Sequence, residues 1–318
     1  MPAPPQPLVR IGTRASKLAL VQAGTMQRAI AAALGFGPEE AERVAPLIHI
    51  TTTGDRVQDR RLLEIGGKVL FTKEIEDALL DGRIDCAVHS VKDMAAELPP
   101  GLVIGAIPER EDPRDVFISH KAGSVAALPP GARLGTASLR RQAQALHMRP
   151  DLKLVNLRGN VDTRLAKLEA GEADAIILAL AGLKRLGLSD LPATPLDPAE
   201  QPPAPGQGAL AVEVRAEDAG QPWVTALIHR PSAIAVAAER GALAALEGSC
   251  KTAIGACATL RGAKLHLIVE ALTPDGARRF RQAGEADVGG AGGEAAARGL
   301  GVRLGEAVRR EGGSALEL

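Results

Sequence analysis

The sequence has 318 residues, which is long enough for two or three domains of roughly 100 residues each. Lys and Arg number 38, as do Asp and Glu, so the formal net charge is zero and no overall field recruits nucleic acid or an anionic membrane. Tyr is absent, and four Phe and one Trp nearly exclude a stacking platform for bases. We therefore expect no nucleic-acid partner and no membrane partner.

The N-terminal segment and the cysteines favour a cytoplasmic location. The start, MPAPPQPLVRIGTR, has no apolar segment behind a basic end, so we predict no signal peptide. No run reaches the ~18 apolar residues of a membrane helix. The three cysteines cannot all pair and lack metal-ligand spacing, so we predict no metal site and a reducing compartment.

Strand and helix patterns alternate from the start of the chain. Residues 8–34 are predicted as a strand, a turn at Gly12–Thr13 and an amphipathic helix, and residues 45–55 as a strand with a hydroxyl-rich end. Residues 66–91 are predicted as a loop, a helix, a stop at Gly82 and another strand. This alternation predicts βαβ units and a mostly parallel sheet.

The pattern recurs later in the chain. EDALLDGRIDCAVHSVKD and AKLEAGEADAIILALAGLKR share the tail of a helix, a glycine (Gly82 and Gly171), an aspartate three residues later (Asp85 and Asp174) and an apolar strand. GARLGTASLRRQAQAL and LKLVNLRGNVDTRLAKL add further strand–turn–helix units. The fold class we predict is α/β, with two similar doubly wound domains like those of periplasmic binding proteins.

A smaller α+β domain is predicted at the C-terminal end. The helix SAIAVAAERGALAALEG precedes the strand-like pieces AIGACATL, KLHLIVEAL and ARRFRQAGE, and the helix EAAARGLGVRLGEAVRR comes last. LPATPLDPAEQPPAPGQG is predicted to be a Pro-rich return linker. The predicted domains are residues 1–108 with 206–224, residues 109–205, and residues 225–318.

Residues 87–93, AVHSVKD, end an apolar strand with four polar side chains. Ser90 and Asp93 have the spacing of a capping box, which explains two of these side chains but neither His89 nor Lys92. A carboxylate near a helix N-terminus stays ionised, so Asp93 suits stabilising a developing cation better than donating a proton. Open α/β sheets bind ligands beyond the carboxyl ends of their strands, which makes this segment a candidate site.

Arginines gather at four predicted strand–helix turns: GTRASKL, GTASLRRQ, LRGNVDTRL and LKRL. A single pair of arginines at one turn is readily explained as part of a solvated helix face. Four clusters at the same point between a strand and a helix predict a ligand with several negative charges. Neither GxxxxGK[ST] nor GxGxxG occurs, so nucleotide phosphates are not indicated and a polycarboxylate is at least as plausible. The residues concerned are Arg14, Ser16, Thr136, Ser138, Arg140, Arg141, Arg158, Asn160, Arg164 and Arg185.

One cysteine and one loop remain open to two interpretations. Cys250 lies beside Lys251, where a thiolate is favoured, although an inert exposed thiol is the alternative. Cys86 and Cys257 are expected to pack as small hydrophobic residues. The stretch EIGGKVLFTKEIE places Lys68 in a Gly-Gly loop, which is either a flap over the site or a flexible surface loop.

Together these motifs resemble the porphobilinogen deaminase (hydroxymethylbilane synthase) family of tetrapyrrole biosynthesis. The matching pieces occur in family order from residue 11 to about residue 258. They include IGTRASKLALVQA, TTTGDR, GGKVLFTKEIEDALLDGRIDCAVHSVKDM, EREDPRDVFIS, GTASLRRQ, LRGNVDTRL, DAIILALAGLKRLGL, APGQGALAVE, AERGALAALEGSC and IGACATL. The remaining C-terminal residues match the family only in general character.

The resemblance implies a transferase with a dipyrromethane cofactor attached through Cys250. Four porphobilinogen molecules are deaminated and joined head to tail on this primer, and hydrolysis then releases hydroxymethylbilane. The implied catalytic residues are Asp93, which matches the family's catalytic aspartate, and Lys92 of the same motif. The implied cofactor-binding residues are Cys250, Lys92, Ser90, Thr136, Ser138, Arg140, Arg141, Arg164 and Gln207. The implied substrate-binding residues are Arg14, Ser16, Lys68, Arg158 and Arg185.

Four residues depart from the family's usual pattern: Val69 and Ser249 replace Gly, and Ala95 and Ala253 replace Pro. These departures concern loop geometry more than chemistry. The alternative function is that of a two-domain binding protein for an anionic small molecule, against which the missing signal peptide and the cysteine-bearing third domain argue. We expect a monomer.

Overall fold

The computed structural model describes residues 7–56, 71–246 and 252–316. The chain divides into two units, of which unit 1 is Met1–Arg110 with Ala209–Ala233, and unit 2 is Glu111–Gly208 with Ile234–Leu318. The predicted second α/β domain and nearly all of the predicted C-terminal domain fall within unit 2. The division into three domains with the boundaries given above stays a prediction.

The regular elements alternate as the sequence pattern indicates. The strands are β1 Ile11–Thr13, β2 Leu47–His49, β3 Cys86–Ser90, β4 Leu102–Ala106, β5 Asp115–Ile118, β6 Arg133–Gly135, β7 Lys153–Val155, β8 Ala175–Ala179, β9 Ala193–Pro195, β10 Leu210–Arg215, β11 Ala253–Arg261, β12 Lys264–Leu272 and β13 Arg279–Asp287. The α-helices are α1 Lys17–Ala33, α2 Ala41–Val44, α3 Thr53–Arg56, α4 Lys73–Leu80, α5 Leu139–Met148, α6 Val161–Glu169, α7 Leu180–Arg185, α8 Pro222–Thr225, α9 Arg230–Leu246 and α10 Gly293–Gly312. Within the described ranges, no helix combines the length and apolar character needed to cross a membrane.

Unit 1 contains a five-stranded sheet in the order β2-β1-β3-β10-β4. Strand β1 pairs in parallel with β2 and β3, whereas β10 is antiparallel to β3 and β4. One face of the sheet packs on α1 through a cluster that includes Ile11 and Ile30. The other face packs on α4 through Ile75, Leu79 and Ala87. Helices on both faces make this sheet doubly wound, as predicted.

Unit 2 contains a second five-stranded sheet, in the order β7-β6-β8-β5-β9. Its parallel strands are β7, β6 and β8, and β5 is antiparallel to β8 and β9. Separate apolar clusters form on its two faces, one around Phe117 and Ile177 and the other around Ile176 and Leu183. The strand order matches that of the first sheet position by position, so the prediction of two similar α/β sheets is confirmed.

The repeated Gly-x-x-Asp has the same structure in both units. Asp85 accepts hydrogen bonds from the backbone N of Arg10 at 2.7 Å and from its guanidinium at 2.8 Å. Asp174 accepts from the backbone N of Arg133 at 2.7 Å and from its guanidinium at 3.2 and 3.4 Å. Each aspartate thereby joins the start of one parallel strand to the start of the next. The preceding glycines, Gly82 and Gly171, have φ of 69° and 71°, a conformation that favours glycine.

The third sheet belongs to the predicted C-terminal α+β region. Strands β11, β12 and β13 form an antiparallel meander, and α9 and α10 cover one face of it. Alternate residues of β12, among them Leu265, Leu267 and Val269, are fully buried against those helices. The predicted helices and strands of this region are confirmed.

One local prediction is wrong, and another missed a strand within a segment that does lead back to unit 1 at Ala209. Gly12 and Thr13 lie in β1 rather than in a turn, because they pair with Ile48 and His49 of β2. The Pro-rich linker contains β9, whose Thr194 pairs with Phe117 of β5, so this segment extends the second sheet. Proline is tolerated there because β9 is an edge strand.

Candidate functional site

In unit 1 the predicted site residues follow the carboxyl ends of the parallel strands. Arg14 and Ser16 come after β1, and Lys92 and Asp93 come directly after β3. Asp55, which was not predicted, comes after β2. Because β2, β1 and β3 are adjacent and parallel, these segments leave the sheet at the same edge. That edge is where open α/β sheets bind ligands.

Arg14 is engaged by an acidic residue that the sequence reasoning did not single out. Its Nε donates to both carboxylate oxygens of Asp55, at 3.1 and 3.3 Å, and its Nη2 also binds this carboxylate. The guanidinium lies 4.4 Å from the centre of the Phe71 ring. Burial raises the pKa of Asp55, but hydrogen bonds from Arg14 and Thr52 outweigh burial and hold it below its usual range. Arg14 is therefore oriented by an internal carboxylate.

The two serines of unit 1 have structural partners. Ser16 is the N-cap of α1, where its hydroxyl accepts a hydrogen bond from Ala19 N at 3.3 Å. The Ser90 hydroxyl accepts from Nε2 of Gln22 at 2.9 Å. Because Gln22 is a buried residue of α1, this bond ties the end of β3 to that helix.

The predicted capping box at Ser90 and Asp93 is wrong. Strand β3 is followed by a single 3-10 turn, Val91–Asp93, and the Ser90 side chain makes no capping hydrogen bond because its hydroxyl is turned toward Gln22. A turn of three residues also has no helix dipole of note. Asp93 is half-buried, and within the described residues no hydrogen bond or ion pair engages its carboxylate. Lys92, in the same turn, is also half-buried.

His89 has a structural explanation that the sequence did not reveal. Its Nε2 lies 3.0 Å from the carboxylate of Glu213 on the neighbouring strand β10, and both side chains are buried. Glu76 of α4 is buried near them, and burial raises its pKa. His89 therefore belongs to a polar cluster in the interior of unit 1 rather than to the strand-end site. The partner lies 124 positions away in sequence, beyond the reach of local motifs.

In unit 2 the turn between β6 and α5 holds four of the predicted residues. Thr136 is buried, and its hydroxyl accepts from Ser138 N at 3.1 Å. Ser138 is the N-cap of α5, accepting from the backbone N of Arg141. Arg140 and Arg141 lie in the first turn of α5, and each is 6 % exposed. Their charges are thus buried and require acidic partners.

Asp115, at the start of β5, supplies that acidic partner. Its Oδ2 lies 2.8 Å from Nη2 of Arg140, and its Oδ1 accepts from Nη2 of Arg141 at 2.7 Å. Gln207 donates from Nε2 to the same Oδ1 at 2.8 Å. Burial raises the pKa of Asp115, but the two guanidiniums outweigh it and hold the carboxyl ionised, well below its usual range. One carboxylate thus orients three predicted site residues.

A second set of buried contacts extends from Arg140 to the C-terminal sheet. Nη1 of Arg140 donates to Oε1 of Gln144 at 2.9 Å and to the carbonyl of Pro202 at 3.2 Å. Nε2 of Gln144 donates to Oε1 of Glu270 at 2.7 Å. Nε of Arg281 lies 3.4 Å from the other oxygen of Glu270. Gln144 and Glu270 were not among the predicted site residues, and neither belongs to a recognisable motif.

The remaining predicted arginines of unit 2 follow β7 and β8 in the chain. Arg185 ends α7 and donates to the carbonyl of Gly208 at 2.8 Å, beside Gln207, and burial lowers its pKa. Arg164 donates to the carbonyl of Gly159 at 2.8 Å, in the turn after β7. Arg158 lies half-buried in that same turn. Arg158 and Arg164 therefore place two basic side chains in or beside the turn after β7, whereas Arg185 lies at the last residue of α7.

Several predicted residues are outside the described ranges. These are Cys250, Lys68, Val69 and Ser249. Of the other two departures from the family pattern, Ala253 is the buried first residue of β11, and Ala95 follows the 3-10 turn after β3.

The buried arginines fit a ligand that carries carboxylates. Nε of Arg140 and Nε of Arg141 are both buried and have no hydrogen-bond partner among the described residues. An unpaired donor on a charged group is costly to bury, and a carboxylate is the acceptor that best matches a guanidinium. The acetate and propionate groups of a dipyrromethane are of this chemical type.

Comparison with known proteins agrees with this chemistry. The family model "Porphobilinogen deaminase, dipyromethane cofactor binding domain" matches residues 9–221, and "Porphobilinogen deaminase, C-terminal domain" matches residues 233–309. The chain belongs to the porphobilinogen deaminase family. It is accordingly an enzyme of the transferase class in porphyrin biosynthesis, and it contains the family's dipyrromethane cofactor-binding domain.

Curated relatives named porphobilinogen deaminase match this chain over nearly their whole length. Porphobilinogen deaminase from Caulobacter vibrioides (strain NA1000 / CB15N) is 67% identical over 98% of this chain and 98% of its own. The protein of that name from Phenylobacterium zucineum is 67% identical over 99% of this chain and 100% of its own. Among solved structures, a periplasmic substrate-binding protein of an ABC transporter from Coxiella burnetii is 17% identical, covers 74% of this chain and 96% of its own, and has a TM-score of 0.41.

Proposed function

We propose that the chain deaminates porphobilinogen, joins four units head to tail on a dipyrromethane attached through Cys250, and releases hydroxymethylbilane by hydrolysis. The observation that carries the catalytic assignment is the Asp93 carboxylate. It lies half-buried at the carboxyl end of β3, and no described residue engages it. A carboxylate left unpaired at a strand end is available to a ligand.

Asp93 stabilises positive charge as it develops on the substrate. Loss of ammonia from porphobilinogen leaves a methylene-pyrrolenine cation, and a fixed carboxylate lowers the energy of the path to it. Asp93 lies in the 3-10 turn that directly follows β3. The end of β3 is fixed to α1 by the hydrogen bond from Gln22 to Ser90. When bound, the dipyrromethane supplies a tethered pyrrole, which keeps chain elongation effectively intramolecular.

The arginines bind the acid side chains. Each porphobilinogen unit has an acetate and a propionate, so the anionic charge of the growing product rises with every addition. Cofactor carboxylates are assigned to a set with members in both units: Lys92 and Ser90 of unit 1, and Thr136, Ser138, Arg140, Arg141, Arg164 and Gln207 of unit 2. Substrate carboxylates are assigned to Arg14, Ser16, Lys68, Arg158 and Arg185. Local clustering achieves this while the net charge stays zero.

The catalytic assignment is tested with Asp93→Asn. The substitution keeps the shape of the side chain and removes the charge, so turnover of porphobilinogen should fall by about 10²–10³, as when one preorganised stabilising group is lost. Cofactor content and the melting temperature should stay unchanged, because Asp93 has no described protein partner. Asp81→Asn, at an exposed position after α4, is the matched control and should retain full turnover. Wild-type turnover in Asp93→Asn would remove Asp93 from the mechanism.

The proposed substrate, cellular location and oligomeric state all follow from assigning this chain the reaction described above. Porphobilinogen is the proposed small-molecule partner. The cytoplasmic location and the monomeric state stay predictions. Porphobilinogen-dependent release of ammonia by the purified chain separates this function from simple capture of an anionic ligand, which releases none.

A further inference from the structure

Arg140 is held by three acceptors of the protein itself. Its Nη2 is paired with Asp115 at 2.8 Å, and its Nη1 donates to Gln144 at 2.9 Å and to the Pro202 carbonyl at 3.2 Å. An arginine side chain loses rotamer entropy on being fixed, so such positioning requires dedicated contacts. The remaining buried donor, Nε, is the one without a described partner.

The orientation of the Gln144 amide decides whether Arg140 finds an acceptor. Oε1 of Gln144 faces Arg140, while Nε2 donates to Glu270 at 2.7 Å and to the Pro202 carbonyl at 2.9 Å. A flipped amide would point its NH2 group at the guanidinium and its oxygen at a carboxylate and a carbonyl. Glu270 therefore selects the amide orientation that serves Arg140.

Glu270 is an unusual residue to bury for stability alone. It lies on β12 and is 0 % exposed, and burial raises its pKa. Its hydrogen bond comes from a neutral amide, and Arg281 Nε lies 3.4 Å from its second oxygen. Buried charges of this kind are weak sources of stability, and apolar replacements of similar volume are often neutral or stabilising. A role in orienting other groups accounts for a carboxylate at this position.

We propose that Gln144 and Glu270 are positioning residues, which fix Arg140 and, through Asp115, Arg141 in the orientation that receives a carboxylate of the cofactor or growing chain. This inference rests on the proposed function and extends it to two residues outside the family motifs quoted above. It assigns to the C-terminal sheet, through Glu270, a part in shaping the anion site on α5.

The test compares Gln144→Met with Gln27→Met. Gln27 is a matched buried glutamine in unit 1, whose Nε2 likewise donates to a carboxylate, Glu42 at 2.8 Å, and to a carbonyl, Ala45 at 2.9 Å. Both variants should lower the melting temperature by similar amounts. Only Gln144→Met should lower the dipyrromethane-loaded fraction, read from intact mass, at least twofold. It should also raise the KM for porphobilinogen of the loaded protein about fivefold, the equivalent of about 1 kcal/mol.

A charge swap keeps the proposal falsifiable if Gln144→Met yields no folded protein. Gln144→Glu alone places two carboxylates against each other and should lose loading. Adding Glu270→Gln restores an acceptor for Arg140 and a donor for residue 144, so the double variant should recover most of the loading and of the KM.

The outcomes separate this proposal from the proposed function. If Gln144→Met matches Gln27→Met in loaded fraction and in KM, or if the double variant is no better than Gln144→Glu alone, the positioning role is wrong while the transferase assignment stands. If the wild-type protein carries no dipyrromethane and releases no ammonia from porphobilinogen, the proposed function itself fails.

Discussion

Replacing Asp115 with Asn should strongly destabilise unit 2. Asp115 is 2 % exposed, and its two oxygens receive Arg140 at 2.8 Å, Arg141 at 2.7 Å and Gln207 at 2.8 Å. Asparagine has one acceptor oxygen, so its NH2 group would face a donor whichever way the amide is turned. Removing one partner of a buried ion pair costs about 3–5 kcal/mol. We expect a value in this range, because two buried guanidiniums lose their shared counter-charge.

Urea unfolding followed by circular dichroism measures this cost. The control is Asp77→Asn, where the side chain is 49% exposed and pairs with Lys73 at 2.8 Å; exposed pairs of this kind contribute about 1 kcal/mol or less. The folded-state pKa of Asp115 is lowered, so its stabilisation is present above the unfolded pKa of about 3.9 and is lost only as the pH falls through the folded value. The difference between wild type and variant should therefore be equal at pH 8 and pH 5. A cost below about 1 kcal/mol, or a difference that shrinks between pH 8 and pH 5, would refute the reasoning.

Three further substitutions test the packing, capping and electrostatics of the fold. Gly301→Ala should lower the melting temperature clearly, because the new Cβ would lie 1.9 Å from the Ala238 carbonyl where α10 packs on α9. Gly299→Ala is the control and should leave the melting temperature unchanged, because its new Cβ would have no contact shorter than 3.7 Å. Equal effects of the two substitutions would contradict this packing. Asn160→Ala should cost about 1 kcal/mol in urea unfolding, because Oδ1 of Asn160 caps α6 by accepting from Thr163 N at 2.8 Å; a neutral result would exclude the cap. Burial raises the folded-state pKa of Glu76, so its stabilising contribution is present at low pH and is lost as the pH rises through that value. Glu76→Gln should therefore gain stability relative to wild type as the pH rises above the unfolded pKa of about 4.3, and a difference in urea midpoints that stays constant from about pH 4 to about pH 8 would contradict a raised pKa.

Local sequence patterns were sufficient to predict the two α/β sheets. The Gly82 and Gly171 signals, each followed by an aspartate and an apolar run, mark the same helix–turn–strand connection in both units. That connection depends on the positive φ of the glycine and on the number of residues between the glycine and the strand, and both are set by residues that are close together in sequence. The antiparallel placement of β5 and β10 was not predictable in this way, because it depends on pairing between segments far apart in the chain.

The arginines of the proposed site were predictable from the sequence, whereas the residues that hold them in place were not. Arg140 and Arg141 stand in a recognisable motif, whereas Glu270 is a single acidic residue in an apolar strand, and nothing in the local pattern distinguishes it from a solvated residue. Asp115 lies in the matching piece EREDPRDVFIS, but it is one of four acidic residues there, and the pattern does not show which of them binds the arginines. The prediction of a cap at Ser90 was wrong because its hydroxyl accepts a hydrogen bond from Gln22, which is 68 positions away in sequence and outside any local pattern.

The most direct test of the function is the intact mass of the purified protein. In cells that supply porphobilinogen, the wild-type chain should be heavier than its sequence by one dipyrromethane, and Cys250→Ser should lack this increment. Cys86→Ser and Cys257→Ser, at buried positions, should keep it in whatever protein folds. An unmodified wild-type mass, or an increment that persists in Cys250→Ser, would contradict the assignment.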